Sequence, residues 1–416
     1  MQNLKIDSDR LWNSLMEMAQ IGATEKGGVR RLTLTDLDRE SRELFTQWCE
    51  DAGCTVTIDR VGNMFARRPG RDPSKKPVMS GSHLDSQPTG GKYDGAYGVL
   101  AALEVVRTLN DAGVKTEAPV EIAMWTNEEG SRYAPAMMGS GVFAGIFSTE
   151  EVHAKIDAEG KSFGEELRRI GYEGDETPGD HPADSYFECH IEQGPILERE
   201  GVPVGVVTDA NGQRWYEVTL TGVESHAGPT PMETRKDALV GAARMISLVN
   251  EIGLANLPNA CATVGMLEVY PNSRNVIPGQ VFFTVDFRHP DDTVLSQMDA
   301  ALKSGLAQIS EEIGLQLDRH DLWYSPPIPF DPDCVAAVRR GAELHGHGHR
   351  DIVSGAGHDA VYMTRMCPTA MIFVPCEGGI SHNEAENATR EDLAAGCDVL
   401  LHAVMERALR AGASER

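Results

Sequence analysis

None of the eight cysteines pair at CxxC spacing. In a chain of this size that excludes a disulfide frame and leaves reduced, mostly buried thiols. No apolar run approaches the ~18–20 residues that a membrane helix requires. The N-terminal MQNLKIDSDRLWNSLMEMAQ lacks the apolar core of a secretory signal, so the cytoplasm is the expected compartment. Positive charge is scarce: 38 Lys and Arg face 63 Asp and Glu, a net charge of −25. That balance excludes nucleic acid and anionic membrane as partners, because both would be repelled. There are no internal repeats and no low-complexity tracts. Ser225 has no strand-to-helix elbow around it, which argues against a serine hydrolase.

What is present is an ordinary globular composition, 41% hydrophobic and 24% charged over 416 residues. A chain of that length exceeds one hydrophobic core, so two domains are expected. Residues 8–19 read as an amphipathic helix capped by Ser8, with Leu11, Leu15 and Met18 on one stripe. Strand-like and helical stretches then alternate. KPVMSGSH (76–83) runs into a glycine-rich loop, and a helix follows over 97–112. VEIAMWTNEE (120–129) and DSYFECHIEQGP (184–195) are further apolar strands. This alternation predicts an α/β domain with a largely parallel sheet.

The style changes after about residue 211. RWYEVTLTG (214–222) alternates as a half-exposed antiparallel strand does. A helix over 235–252, strands at 262–270 and 280–288 and a helix near 291–313 complete an α+β unit. The α/β style returns after YSPPIPFDPD (324–333), with AMIFVP (370–375) as a late strand. The reading is therefore a discontinuous α/β domain, 1–211 with 329–416, carrying an inserted α+β domain at 212–328.

In open α/β sheets, reactive groups gather beyond the carboxyl ends of the strands. His83, Asp94, Glu129, His190 and His382 all map to that edge. Imidazole with carboxylate suits a pair of divalent cations of the zinc, manganese, cobalt or nickel type. Two such cations need a bridging carboxylate, and Asp94 among Gly90, Gly91 and Gly95 suits that place. Asp85, two residues past His83, has the reach to accept that ring's second N–H. One glutamate of the Glu128–Glu129 pair would bind metal while its neighbour faces water as general base. A plainer reading stays open on residues alone: hydrogen-bonded structural histidines, a glycine turn and a solvated glutamate pair. HGHGH (345–349) lies between a helix and a loop, away from this set, and is read as a tract that binds stray metal at most. Cys189 and Cys376 are read as packing.

Eight motifs in order, GSHLDSQPTGGKYDG, WTNEEGSR, HIEQGP, SHAGPTPMETRKDA, PNSRNVIPG, DFRHPD, SGAGHDA and GGISHNEAE, resemble the hydantoinase/carbamoylase amidohydrolases. These belong to the dinuclear-metal aminoacylase and carboxypeptidase superfamily, and the resemblance spans about residues 80 to 390. It implies a metal-binding α/β domain and a smaller α+β domain used for lid closure and homodimerisation. By motif, His83, Asp94, Glu129, His190 and His382 correspond to ligands of two divalent metal ions, zinc foremost, with Asp94 bridging and Glu128 as general base. A histidine at 190, where peptidase relatives carry a carboxylate, and the short His83-to-Asp94 spacing point away from a peptidase. His226 resembles the oxyanion-stabilising histidine, in its own subunit or the partner's. Arg288 resembles the fork for the substrate carboxylate, with a surface pair to Asp286 as the plainer alternative. Gln193, Arg214 and Asn275 correspond to polar substrate contacts, and Gly357 to close backbone approach, with His358 and Asp359 supporting the pocket.

The implied activity is hydrolysis of the ureido C–N bond of an N-carbamoyl-L-amino acid or N-carbamoyl-β-alanine. Hydroxide bridging the metals would attack, with Glu128 as base, giving amino acid, carbon dioxide and ammonia. An allantoate amidohydrolase or another ureido-acid hydrolase is the alternative on the same scaffold. A non-catalytic ligand-binding relative is the alternative of another class, disfavoured by the intact Glu128–Glu129 pair; a dinuclear peptidase is the third.

Overall fold

The structure, a computed structural model, describes residues 4–410. Residues 1–3 and 411–416, assigned above to the larger domain, lie outside the described residues. The chain divides into two compact units. One runs to Thr208 and resumes at Phe330; the other comprises Asp209–Pro329. The sequence reading set these breaks at 211/212 and 328/329.

The first unit is an α/β fold around a mixed sheet. Its centre is four parallel strands in the order Val120–Trp125, Val78–His83, Ser185–Ile191 and Thr369–Val374. Antiparallel strands close both sides: Met64–Arg68 and then Thr55–Ile58 on one, Val204–Ala210 on the other. The expected parallel sheet is thus confined to the centre. Every residue of the four central strands is buried, which is why they read as continuous apolar runs rather than alternating ones. Helices Ala96–Asp111 and Arg390–Arg410 pack against them. The first helix spans Ser8–Met18, and its cap is Asp7, not Ser8: the extended Asp7 accepts the Arg10 N–H through its side chain, as an N-cap carboxylate does.

The second unit is an α+β fold. Strands Leu267–Tyr270, Gln280–His289, Gly212–Thr221 and Gln316–Ser325 lie in that order, all antiparallel. The strand expected at 262–270 is two pieces, Cys261–Thr263 and Leu267–Tyr270, which pair separately along Gln280–His289. Alternation sends Tyr216, Val218 and Leu220, with Val281, Phe283, Val285 and Phe287, into one core with helices Ala238–Ala255 and Asp292–Ile313.

One expectation is corrected here. Ala238–Ala255 is long and apolar enough to cross a membrane by length and composition. Its Ala238, Ala242, Met245, Val249 and Ile252 are buried in the core of the second unit, so its apolar character is that of a core helix.

Phe283 is fully buried at the centre of that core. Phe283→Ala removes the ring and leaves a cavity, and should destabilise the second unit by about 3–5 kcal/mol. Urea denaturation checks this; an unchanged midpoint would show that the core is not organised around this ring.

Candidate metal centre

The carboxyl ends of the four central strands and the loops that follow them carry the predicted residues. His83 ends Val78–His83, and His190 is the penultimate residue of Ser185–Ile191. Asp94 and Gly95 sit at the entry to helix Ala96–Asp111. Glu128 and Glu129 follow strand Val120–Trp125, and His382 lies in the loop after Thr369–Val374.

Asp94 is the meeting point. Its Oδ1 lies 3.1 Å from His190 Nε2 and 3.8 Å from His83 Nε2; its Oδ2 lies 3.3 Å from His382 Nε2. His382 Nε2 is also 3.3 Å from Glu129 Oε2, and His83 Nε2 is 3.5 Å from Glu128 Oε2. Two donor groups result, His83–Asp94–His190 and Asp94–Glu129–His382, sharing Asp94. The plainer reading of separate structural histidines does not describe this convergence.

The tautomers sharpen the point. His83 Nδ1 donates to the Asp85 carbonyl at 2.9 Å, and His190 Nδ1 donates to the Ile191 carbonyl at 2.9 Å. A neutral ring with its proton on Nδ1 presents a lone pair at Nε2. The Gly95 N–H donating to His190 Nε2 at 3.3 Å agrees with that assignment. Each Nε2 thus faces the Asp94 carboxylate, to which it hydrogen-bonds when protonated and beside which it offers a lone pair to a cation when neutral. Among the described residues, the ion pairs of Asp94, Glu128 and Glu129 are all with histidines. Imidazole and carboxylate without thiolate is the donor chemistry of zinc-class divalent ions in open sites, so the residues fit such a cation.

The electrostatics carry the same signature. Burial, then the charges of Asp359, Glu129, Asp85 and Asp94, push the Glu128 carboxyl well above its ordinary value. Burial and Asp94 push Glu129 up to about 8. Burial also works on Asp94, but hydrogen bonds from His190 and His382 overcome it and hold that carboxyl well below the usual range. Burial lowers His83 to about 4. Its bond to Asp94, aided by the charge of Glu129 and opposed by burial, raises His382 to about 9. Crowded carboxyls of this kind mark functional sites.

Asp85 corrects its expected role. The group that takes the His83 N–H is its main-chain carbonyl; its carboxylate is 3.9 Å from Nδ1. That carboxylate accepts the backbone N–H groups of Glu128 and Glu129, each at 3.2 Å. Asp85 thus fixes the peptide that carries the glutamate pair, because its side chain turns toward the neighbouring strand's loop. Gln193 reaches the centre as well: its Nε2 donates to Asp94 Oδ2 at 3.0 Å and Ser381 Oγ at 3.2 Å. Gly357 lies against the Met137 side chain, where a Cβ would meet Met137 Cε at 3.1 Å. His358 packs on His190, ring centroids 4.4 Å apart, and Asp359 accepts from Ser140. Cys189 and Cys376 are buried, free thiols.

Sequence reasoning missed Glu386. It is 4% exposed, and its Oε1 accepts the N–H groups of Tyr93 and Asp94 at 2.9 and 3.1 Å. Its Oε2 accepts from Ser381 at 2.9 Å. The signal was its place four residues after His382 in GGISHNEAE. Gln87 was missed too; it donates to both oxygens of Glu129.

The remaining candidates lie in the second unit. His226 Nδ1 accepts the Gly228 N–H at 3.0 Å, which leaves its proton on Nε2. Asn275 is beside it: the Ala227 N–H donates to the Asn275 carbonyl, and Val276 pairs with His226. Arg288 forks onto Asp286, Nη2 to Oδ2 at 2.8 Å. Arg214 departs from expectation. It pairs with the core residue Phe287, so strand alternation puts it on the helix face while Arg288 and Gln213 share the other. There its guanidinium stacks 4.1 Å from the Tyr324 ring centroid and reaches Ser296. Arg214, expected as a polar contact to the substrate, thus lies on the face away from Arg288, and Gln213 holds the place opposite Arg288.

Gly95 has φ +65, and a Cβ there would lie 2.3 Å from the His83 ring. Gly95→Ala should displace His83 and lower divalent-metal affinity at least tenfold, the lower end of what disturbing a ligand's support does. Equilibrium dialysis with zinc measures it; wild-type affinity would mean the ring moves without consequence.

The sequence profile of peptidase family M20/M25/M40 matches residues 79–406. An N-carbamoyl-L-amino-acid amidohydrolase of Rhizobium meliloti is 52% identical over 98% of this chain and 98% of its own. An allantoate amidohydrolase of Escherichia coli is 35% identical over 92% and 94%. The crystal structure of a hydantoinase/carbamoylase-family amidase from Burkholderia multivorans superposes with a TM-score of 0.94 and 62% identity, covering 98% of this chain and 99% of that one. The chain belongs to peptidase family M20/M25/M40, in its hydantoinase/carbamoylase branch.

Proposed function

We propose that this protein hydrolyses the ureido C–N bond of N-carbamoyl-L-amino acids, releasing the amino acid, carbon dioxide and ammonia. The observation that carries the reading is Asp94, with one oxygen toward His83 and His190 and the other toward His382 and Glu129. The 52% identity to a relative of that name over nearly the whole chain supports the substrate class.

His83, Asp94 and His190 would hold one divalent cation, and Asp94, Glu129 and His382 a second, zinc foremost. When bound, such a pair polarises a carbonyl and acidifies water. Glu128 stands 3.5 Å from His83 Nε2 and carries a raised carboxyl, the property of a group that takes a proton and then returns it. It would accept the proton of the attacking water and deliver it to the leaving nitrogen. Asp85 keeps Glu128 and Glu129 at fixed reach through their N–H groups. His226, with its proton on Nε2, would donate to the oxyanion. The Arg288 fork, oriented by Asp286, would receive the carboxylate of the substrate. Asn275 and Gln193 would contact the ureido acid, and the second unit would serve as lid and homodimer surface.

Glu128→Gln should lower kcat by about 10²–10⁴-fold, the range of a lost general base, while metal content by mass spectrometry stays at the wild-type level. Wild-type turnover in that variant would remove Glu128 from the role.

The relative named for allantoate, 35% identical, motivates a second reading on the same machinery. Ammonia release from N-carbamoyl-L-methionine, N-carbamoyl-β-alanine and allantoate separates them, measured before chelation, after it and after metal is restored. We expect release from the L-carbamoyl acid, loss on chelation and recovery with metal. Release from allantoate alone would replace the first reading with the second.

A further inference from the structure

The open face of the second unit's sheet carries an aromatic pair with no part in the chemistry described above. Strand alternation turns Tyr216 into the core and Trp215 to the opposite face. Trp323 joins it there through an irregularity in the pairing: between Asp321 and Trp323 the register skips Leu322. In even register Leu322 would stand opposite Trp215, and Trp323 would turn to the helix face. A bulge re-aims a side chain in this way, and bulges are over-represented next to active sites. The indoles meet edge to face, centroids 5.1 Å apart and 71° between planes, yet they stay 39% and 37% exposed. Tryptophan is highly buried on average, so two left open side by side call for an occupant.

The same face locates that occupant. Directly across the strands, Trp323, Trp215, Asp286 and Thr263 form one row. Arg288 belongs to the next row, between Gln213 and Cys261. Its guanidinium folds back over Asp286: Nε lies 3.2 Å from both carboxylate oxygens, and Nη2 lies 2.8 Å from Oδ2. The fork is thus held over the row that contains the indoles. Opposite residues on one face stand ~4.5–5.5 Å apart, which makes Trp215 the immediate neighbour of Asp286. Gln213, Cys261 and Thr263 are small or polar, so Trp215 is the broad apolar surface beside the fork. In an α-amino acid the side chain leaves the carbon that bears the carboxylate. A fork that receives the carboxylate therefore fixes where the side chain begins, and the adjoining surface here is an indole.

We propose that Trp215, braced by Trp323, is the surface on which this enzyme seats the side chain of its substrate, selecting N-carbamoyl-L-amino acids with large apolar or aromatic side chains. The proposal rests on the reading of Arg288 as the carboxylate fork. Allantoate carries a second ureido group in place of such a side chain, and N-carbamoyl-β-alanine carries none, so the indole favours neither.

The test measures kcat/KM for N-carbamoyl-L-phenylalanine and N-carbamoylglycine, which differ only in the side chain. The wild type should favour the phenylalanine acid, and Trp215→Ala should lower the ratio of the two at least about tenfold, the low end of what apolar pocket contacts discriminate. An unmoved ratio would overturn the proposal, and so would a wild type that favours the glycine acid. The ratio does not depend on the fraction of active enzyme, so partial misfolding cannot imitate the result. If Trp215→Ala yields no folded protein, Trp215→Leu decides: a ratio between those extremes supports the site, and the wild-type ratio overturns it. Arg288→Gln answers for the fork separately and should raise KM for both acids alike. An unchanged KM there would remove the fork, while the Trp215 ratio would still decide the side-chain surface. Turnover of neither acid by the wild type would overturn the proposed activity along with the proposal; turnover of both with an unmoved ratio would overturn the proposal alone.

Discussion

The Nε2 atoms of His83 and His190 converge on the Asp94 carboxylate, and the first unit is arranged to keep them there. The main-chain carbonyls of Asp85 and Ile191 take the Nδ1 protons of His83 and His190, which holds both rings in that orientation. Glu386 grips the N–H groups of Tyr93 and Asp94, so the carboxylate cannot back away. Gln193 and Ser381 attend its second oxygen. This geometry is held by groups outside the donor set, which is how outer contacts set the orientation of ligands.

A layer of buried charge stands behind this. Arg42 pairs with Asp38 and donates to the Gly62 carbonyl and to Thr126, two residues before Glu128. Arg31 donates to the Leu84 carbonyl, between His83 and Asp85, and to Met18 and Ile21. Both guanidiniums are buried, 1% and 3% exposed. Cations so placed moderate the acidic field without competing for the donors, since each is committed to carbonyls, a hydroxyl or Asp38. The loops above them use unusual backbone. Asn127, Gln193 and His382 are non-glycine residues at φ 60, 56 and 53, each beside or within the centre. Such conformations cost about 1–3 kcal/mol and persist because side chains fasten them, as Asn127 does by donating to the Tyr133 carbonyl.

Much of this was legible from the chain because the relevant signals are local. Fully buried strands read as apolar runs, and a histidine or acid just past such a run marks the strand end. The alternation of residues 214–222 likewise contained the face of Arg214, two residues before the core residue Tyr216. What was not legible depends on distant pairing. Glu386 stands four residues after His382, but the N–H groups it holds lie nearly three hundred positions earlier, and no spacing rule links the two. The division of labour within Asp85, carbonyl to His83 and carboxylate to the glutamate pair, turns on one side-chain torsion that sequence does not encode. The capping of the first helix shifted by one residue for a smaller reason: Asp7 and Ser8 are both good caps, and only backbone geometry chooses between them.

The charge balance bears on what such a centre can accept. The chain is acidic overall, and Asp85, Asp94, Glu128 and Glu129 concentrate that sign at the strand ends. An anionic acid approaching such a surface is repelled unless cations are supplied locally. In the proposed reading they come from two sources, divalent ions among the first unit's donors and the guanidinium of Arg288 for the carboxylate. Neither addresses the side chain of the acid. In that reading the donors would meet the ureido group and the fork the carboxylate, features common to an N-carbamoyl amino acid and to allantoate. Relatives named for either substrate can therefore share this machinery, and selection between them has to arise from residues that touch neither charge.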